Sequence, residues 1–181
     1  FAFIVPKIFG IGDIRKVGSG NVGATNVLRT GKKSLAFLVL ILDGLKGFLP
    51  VFLITNLYIN IFEYFFIIIF ISSFTILGHI FPIWLKFQGG KGVATYIGFI
   101  FSIDYLLGLI FLIIWLLIAT LSRYSSLSSI VSLILMPFIL FIFSYQSNDI
   151  LLFIAISIII ILKHYSNIKR LINKKESKIS F

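Results

Sequence analysis

Cysteine is absent from the chain, which removes disulfides, thiolate nucleophiles and zinc-thiolate sites from consideration. Charge is scarce too: 12% of the 181 residues are charged, with six acidic side chains against sixteen Lys and Arg. No grouping of His, Asp and Glu has metal-ligand spacing, and neither a GxSxG elbow nor a Ser-His-Asp order occurs. The phosphate-loop pattern GxxxxGK followed by Ser or Thr is missing, and the GxGxxG beginning at Gly18 follows no strand-like run. The familiar nucleotide-binding loops are thereby excluded. Low-complexity linkers and internal repeats are also absent, which leaves one domain over residues 1–181.

What remains is apolar. Hydrophobic residues make up 59% of the chain and mean hydropathy is +1.11, more than one soluble core of this length could hide. Phe occurs 21 times, and isoleucine runs such as Ile67 to Ile69 and Ile158 to Ile161 recur. Lipid is therefore the natural solvent. The net charge of +10 would suit nucleic acid, but the basic residues sit in short loops between apolar runs and do not interleave with exposed aromatics. In loops they set membrane orientation and suit an anionic substrate. The stretch Phe1 to Phe9 is too short to span a bilayer; without a basic leader or a small-residue cleavage site, it reads as the tail of a spanning helix.

Apolar runs occupy Leu35 to Leu57, Phe62 to Ile80, Val93 to Leu121, Leu127 to Tyr145 and Ile150 to Leu162. Each is compatible with a helix, the open-chain element that satisfies its own backbone in hydrocarbon. Topology follows from the charges. Arg15, Lys16, Arg29, Lys32 and Lys33 lie in the first polar loop, Lys86 and Lys91 in a later one, and Lys163, Lys169, Arg170, Lys174, Lys175 and Lys178 in the tail; the positive-inside rule puts all of them in the cytoplasm. A single helix over Val93 to Leu121 would leave Arg123 and the tail outside. A break near Ser102 to Asp104 gives a short helix, Val93 to Phe101, and a second, Tyr105 to Leu121, and brings both inside. The outer turns then carry Glu63, Asp104 and Asp149. The expectation is an all-α polytopic transmembrane bundle of seven spans, counting a first helix largely missing from this chain, with six spans present. The short helix must be shielded by neighbours or line a cavity.

Three polar segments fall on the cytoplasmic side. Gly18, Ser19, Gly20, Asn21, Gly23, Thr25 and Asn26, followed by Arg29, resemble a phosphate cradle: glycines let backbone N–H groups approach an anion, neutral donors add to them, and Arg29 adds charge. Gly89, Gly90, Lys91 and Gly92 stand at the start of the short helix, where a point charge joins free N–H groups and a positive dipole end. His164 and Asn167, three residues apart on a helix continuing from Leu162, share one face and suit a general base or a platform for a substrate hydroxyl. Each has a plainer alternative: a flexible polar loop, a positive-inside anchor, and a basic tail that binds anionic lipid. Asp43 and Lys46 form either a functional intramembrane pair or a structural one near a kink at Pro50. His79, at the end of a span, reads as a helix cap or a partner of a loop carbonyl, with ligand binding as the alternative, and Ser125, Ser126, Ser128 and Ser129 read as a tightly packed helix start.

The strings GSGNVGATNVLR at Gly18 to Arg29, DGLKG at Asp43 to Gly47, GHIFPIWLKFQGGKGVAT at Gly78 to Thr95, SRYSSLSSI at Ser122 to Ile130 and HYSNIKRL at His164 to Leu171 carry a resemblance over nearly the whole chain. The sequence resembles the bacterial acyl-phosphate:glycerol-3-phosphate acyltransferases, the PlsY family. The resemblance implies a seven-helix protein of the bacterial inner membrane with its site facing the cytoplasm. It implies acyl phosphate and glycerol 3-phosphate as substrates, 1-acylglycerol 3-phosphate and phosphate as products, no cofactor, and a soluble acyl-phosphate-producing enzyme as partner. Ser19, Arg29, Lys91, His164 and Asn167 match the family's active-site positions, with the glycine loops holding phosphate. Because acyl phosphate is already activated, Ser19 is expected to position and not to attack. The proton acceptor is either His164 or a substrate phosphate oxygen. An organic-anion transporter and a lipid-binding scaffold are the rival classes; the clustering of motifs on one face and the lack of inverted repeats count against the first, and nothing in a scaffold requires three separate polar sites.

Overall fold

Side chains that cannot all face inward dictate helices whose outer surfaces meet lipid. The computed structural model describes residues 1–57 and 61–179, and the side chains of all of these except 61–63. Its described residues form nine α-helices: α1 (Ile4–Ile8), α2 (Ala24–Leu28), α3 (Lys33–Leu57), α4 (Ile61–Ile80), α5 (Val93–Ile103), α6 (Tyr105–Ser122), α7 (Ser125–Ile142), α8 (Ser147–Leu162) and α9 (Tyr165–Ile172). Helices at Lys33–Leu57, Tyr64–Leu85, Tyr105–Ser122 and Ser125–Ile142 are long and apolar enough to cross a membrane; α8 is shorter and bends by 62° into α9. Large side chains such as Phe138, Phe141 and Ile142 point outward. The all-α transmembrane bundle expected from composition is what the chain adopts, with six apolar helices from α3 to α8.

The break in the longest apolar run lies at Asp104. Its side chain caps α6 by accepting from the Leu106 N–H at 2.7 Å and the Leu107 N–H at 3.4 Å, which stops α5 two residues later than expected. The Tyr145 hydroxyl donates to the same carboxylate at 3.1 Å, tying the α5–α6 corner to the α7–α8 turn at one end of the bundle. Asp149 lies near that turn but is buried in the first turn of α8, where a helix N-terminus favours an acid. The side chain of Glu63 lies outside the described residues. Loops at the opposite end carry the basic clusters.

At 11 residues, α5 is only about 16 Å long. It is nevertheless the centre of the bundle: Tyr96, Phe99 and Ile100 are fully buried among Phe111 of α6, Met136 of α7 and Phe153 of α8. The Tyr96 ring meets Phe111 and Phe153 edge-on. On its other side α5 crosses α3 backbone to backbone. A Cβ at Gly98 would collide with the Gly44 carbonyl, and one at Gly47 with the Thr95 carbonyl, the small-residue contact through which membrane helices approach closely. A second cluster, including Ile14, Val27, Ala36 and Val39, pins the first polar loop to α3. The stretch Phe1 to Phe9 contains only the short α1, which rests on α3.

Gly98→Ala should therefore destabilise the bundle by about 1–3 kcal/mol, the usual range for overpacking. Thermal unfolding in detergent would register this as a lowered midpoint; an unchanged midpoint would mean that the α3–α5 crossing yields without cost.

Candidate active site

Tertiary folding gathers all three polar segments at one end of the bundle, around a cavity of about 360 Å³. Ser19, Asn21, Gly23, Thr25, Asn26 and Arg29 reach it from the first loop, Lys91 and Gly92 from the start of α5, and His164 and Asn167 from the α8–α9 joint. Gly18 and Gly20 turn the first loop behind them with positive φ. Gly89 and Gly90 line a neighbouring cavity of about 240 Å³ instead.

The first loop is held by Asn26. Its Nδ2 donates to the carbonyls of Ile14 and Val17 at 3.0 and 2.9 Å, and its Oδ1 accepts from the Ser19 N–H at 3.0 Å. Both ends of the amide are committed to the loop's shape, so Asn26 acts as a clip and leaves ligand contact to its neighbours. The Ser19 hydroxyl also reaches Asn26 Oδ1, at 3.3 Å. Thr25 and Ser125 pair through their hydroxyls at 3.3 Å and fasten the loop to α7. Arg29 points inward from the end of α2; its Nε is buried and meets no hydrogen-bond partner among the described residues.

The second segment is positioned by close packing. Gly92 caps α5 at φ +88, a left-handed conformation that favours glycine. A Cβ at Gly90 would strike His79 and the Val22 carbonyl, so the lysine loop, the first loop and the end of α4 are in near contact. His79 does not cap its helix: its Nδ1 lies 3.6 Å from Asp43 Oδ1, which also receives Lys46 Nζ at 3.1 Å. Asp43 and Lys46 thus pair as the sequence allowed, with His79 as a third member that their separation in the chain conceals.

The third segment differs from expectation. The helix does not run on from Leu162; His164 occupies the joint between α8 and α9, and it is the bend that turns His164 and Asn167 into the cavity, each at most 3% exposed. The His164 Nδ1 lies 2.8 Å from the Ile160 carbonyl, an acceptor, which assigns the ring proton to Nδ1 and leaves the Nε2 lone pair open. Burial, reinforced by Lys91, lowers its pKa to about 4, so the ring is neutral near pH 7.

Lys91 Nζ donates to Asn167 Oδ1 at 2.5 Å. Asn167 Nδ2 donates to Glu176 Oε1 at 2.7 Å, Ser126 Oγ to the same oxygen at 3.0 Å, and Arg170 Nε to Oε2 at 2.7 Å. Burial opposes ionisation of Glu176, but these three donors outweigh it and hold the carboxyl below its usual pKa. Burial lowers Lys91 to about 8, with Glu176 raising it and Arg170 and Arg29 lowering it further. Arg29 is also lowered, first by burial. Arg29 and Lys91 thus line the cavity beside Glu176, the carboxylate that Arg170 also grips, and Leu40, Ile97 and Leu112 supply an apolar wall. Such an arrangement takes an anion with an apolar tail.

The profile of one family, glycerol-3-phosphate acyltransferase, matches residues 1–174. The chain belongs to the glycerol-3-phosphate acyltransferase family. It is 49% identical to the glycerol-3-phosphate acyltransferase of Pelagibacter ubique (strain HTCC1062) across 98% of this chain and 89% of that relative, and 47% identical to that of Ehrlichia canis (strain Jake) across 99% and 91%. A crystal structure of PlsY, an integral membrane glycerol 3-phosphate acyltransferase, in its glycerol 3-phosphate form superposes with a TM-score of 0.89 at 37% identity, covering 99% of this chain and 88% of that one. Within this family fold, nothing in the spacing of the chain assigns a role to Glu176 or Arg170. The available signal was that Glu176 is the single acid in a tail that carries six lysines and arginines.

Glu176→Ala should leave Asn167 Nδ2 and Ser126 Oγ without an acceptor, costing about 3 kcal/mol in all, and should lower the thermal midpoint in detergent. Retention of the wild-type midpoint would show that the tail is not held through this carboxylate. The lysine predicts a sign with pH: its charge is full below about 8 and lost above it. Sulfate, whose own charge is constant in that range, should protect the protein from unfolding more strongly below pH 8 than above; equal protection would remove Lys91 from anion binding.

Proposed function

We infer that this chain transfers a fatty acyl group from acyl phosphate to the 1-hydroxyl of glycerol 3-phosphate, giving 1-acylglycerol 3-phosphate (lysophosphatidic acid) and inorganic phosphate, at the cytoplasmic face of the cell membrane. The observation that carries the reading is one cavity that brings Arg29, Lys33 and Lys91 together with an apolar wall between membrane helices. Both substrates bear phosphate, and one bears a long chain. A single site for them needs surplus positive charge beside an apolar path into lipid.

Arg29 and Lys91 neutralise the two phosphates. The buried, unpartnered Nε of Arg29 is explained by a bound oxyanion, and the start of α5 adds its N–H groups and dipole. Ser19 positions the anion from the first loop. The glycerol hydroxyl oxygen attacks the acyl carbonyl carbon, the bond from that carbon to the phosphate oxygen breaks, and phosphate departs with its electron pair. Because a ring with a pKa of about 4 stores a proton poorly near neutrality, His164 accepts a hydrogen bond from the hydroxyl at Nε2 and orients it, while phosphate takes the proton. Asn167 holds Lys91 in place. Orientation of two bound groups and charge stabilisation then account for the rate. By the positive-inside rule the basic loops at this end support a cytoplasmic site, within reach of a soluble enzyme that supplies acyl phosphate.

Detergent-purified protein incubated with synthetic acyl phosphate and labelled glycerol 3-phosphate should yield labelled lysophosphatidic acid, and no product would sink the assignment. Lys91→Ala should raise KM for glycerol 3-phosphate by about tenfold or more, the loss expected for one charged hydrogen bond. Unchanged kinetics for that substrate would remove Lys91 from this role.

A further inference from the structure

The apolar wall of the cavity has an end. Along α5, the residues that escape full burial are Val93, Ala94, Ile97 and the terminal turn from Phe101; Ala94, Ile97 and Phe101, at i, i+3 and i+7, form one stripe. Ala94 and Ile97 line the cavity and Phe101 does not. Facing that stripe, α6 presents Trp115, Leu112 and Gly108, again on one face, of which the first two line the cavity. The Phe101 ring lies directly over Gly108, where it would overlap any added Cβ. Leu112 is ten residues from the end of α6 at Ser122, so the path runs about 15 Å inward to Leu112, and Gly108 with the ring over it lies one turn further. Trp115 is fixed on the way by its indole N–H, which donates to Ser129 Oγ at 3.0 Å. Phe37 and Leu40 of α3 supply the remaining side and are themselves partly open to lipid.

We propose that Phe101, seated on Gly108, is the stop that sets the acyl-chain length this enzyme prefers. The proposal rests on the acyltransferase reading above and deepens it. The chain of the donor lies along the Ala94–Ile97 stripe with its methyl end against the Phe101 ring. A side chain that fills the space over a glycine cannot move toward α6, so a longer donor must leave the path for the bilayer and loses the contacts of its last carbons. Small residues at the head end and a large ring at the far end give the path its polarity.

The test compares purified wild type, Phe101→Ala and Ile97→Phe on twelve-, fourteen-, sixteen- and eighteen-carbon acyl phosphates with saturating glycerol 3-phosphate, reading kcat/KM for each. Phe101→Ala should shift the optimum to longer chains, by roughly fourfold in relative kcat/KM for each methylene newly buried, the equivalent of about 0.8 kcal/mol. Ile97→Phe should shift it to shorter chains. Should the alanine variant not fold, Phe101→Leu gives a smaller shift in the same direction. The proposal is overturned if the substituted enzymes are active and keep the wild-type chain-length ratios. A wild type inactive on every acyl phosphate would instead defeat the acyltransferase reading, and the stop with it.

Discussion

Lys91, Arg29 and Arg170 crowd around the carboxylate of Glu176 at the edge of a hydrocarbon environment, and the remainder of the site is arranged about that imbalance. One acid cannot neutralise three bases. The surplus is tolerable because the cavity opens at the loop end of the bundle, where solvent and ligand anions reach it, and because Asn167 takes up the Lys91 ammonium. Glu176 also sets the direction of the Asn167 amide: by accepting from Nδ2 it leaves Oδ1 to face the lysine. Partial burial makes every one of these contacts stronger than it would be in water, at the cost of desolvation that already lowers Lys91 toward neutrality.

Holding that charge cluster against an apolar path requires a helix that starts at the membrane surface and ends within the bundle. The short α5 does this. Its first turn supplies Gly92 and free N–H groups to the site, its buried faces lock it to α3, α4 and α6 through α8, and its one open stripe becomes the floor of the path. A helix of full span would offer no such corner at Asp104, where the cap on α6 and the Tyr145 contact close the far end. Close glycine contacts with α3 hold α5 tightly in place.

Much of this is legible in the sequence. Hydropathy located the apolar helices, the charge rule required a break in the Val93 to Leu121 run, and the motifs marked Ser19, Arg29, Lys91, His164 and Asn167 for attention. Less legible was what each polar atom does. Asn26 looked like one more donor in a cradle, yet its amide is consumed by backbone carbonyls. His79 looked like a cap, yet it faces Asp43 from another helix. The α8–α9 bend at His164 is hidden in the sequence because no proline or glycine announces a turn there and the residues on both sides are helical.

The sequence by itself determined the solvent, the helices and the family, because these depend on local composition and on motifs that are contiguous in the chain. The tertiary structure alone decided which donors face which acceptors: that Glu176 closes on Asn167, Ser126 and Arg170, that Arg29 keeps a buried nitrogen without a partner among the described residues, and that Phe101 covers Gly108. Such pairings join residues far apart in the chain, and their energies depend on distance and burial, quantities that no linear spacing encodes.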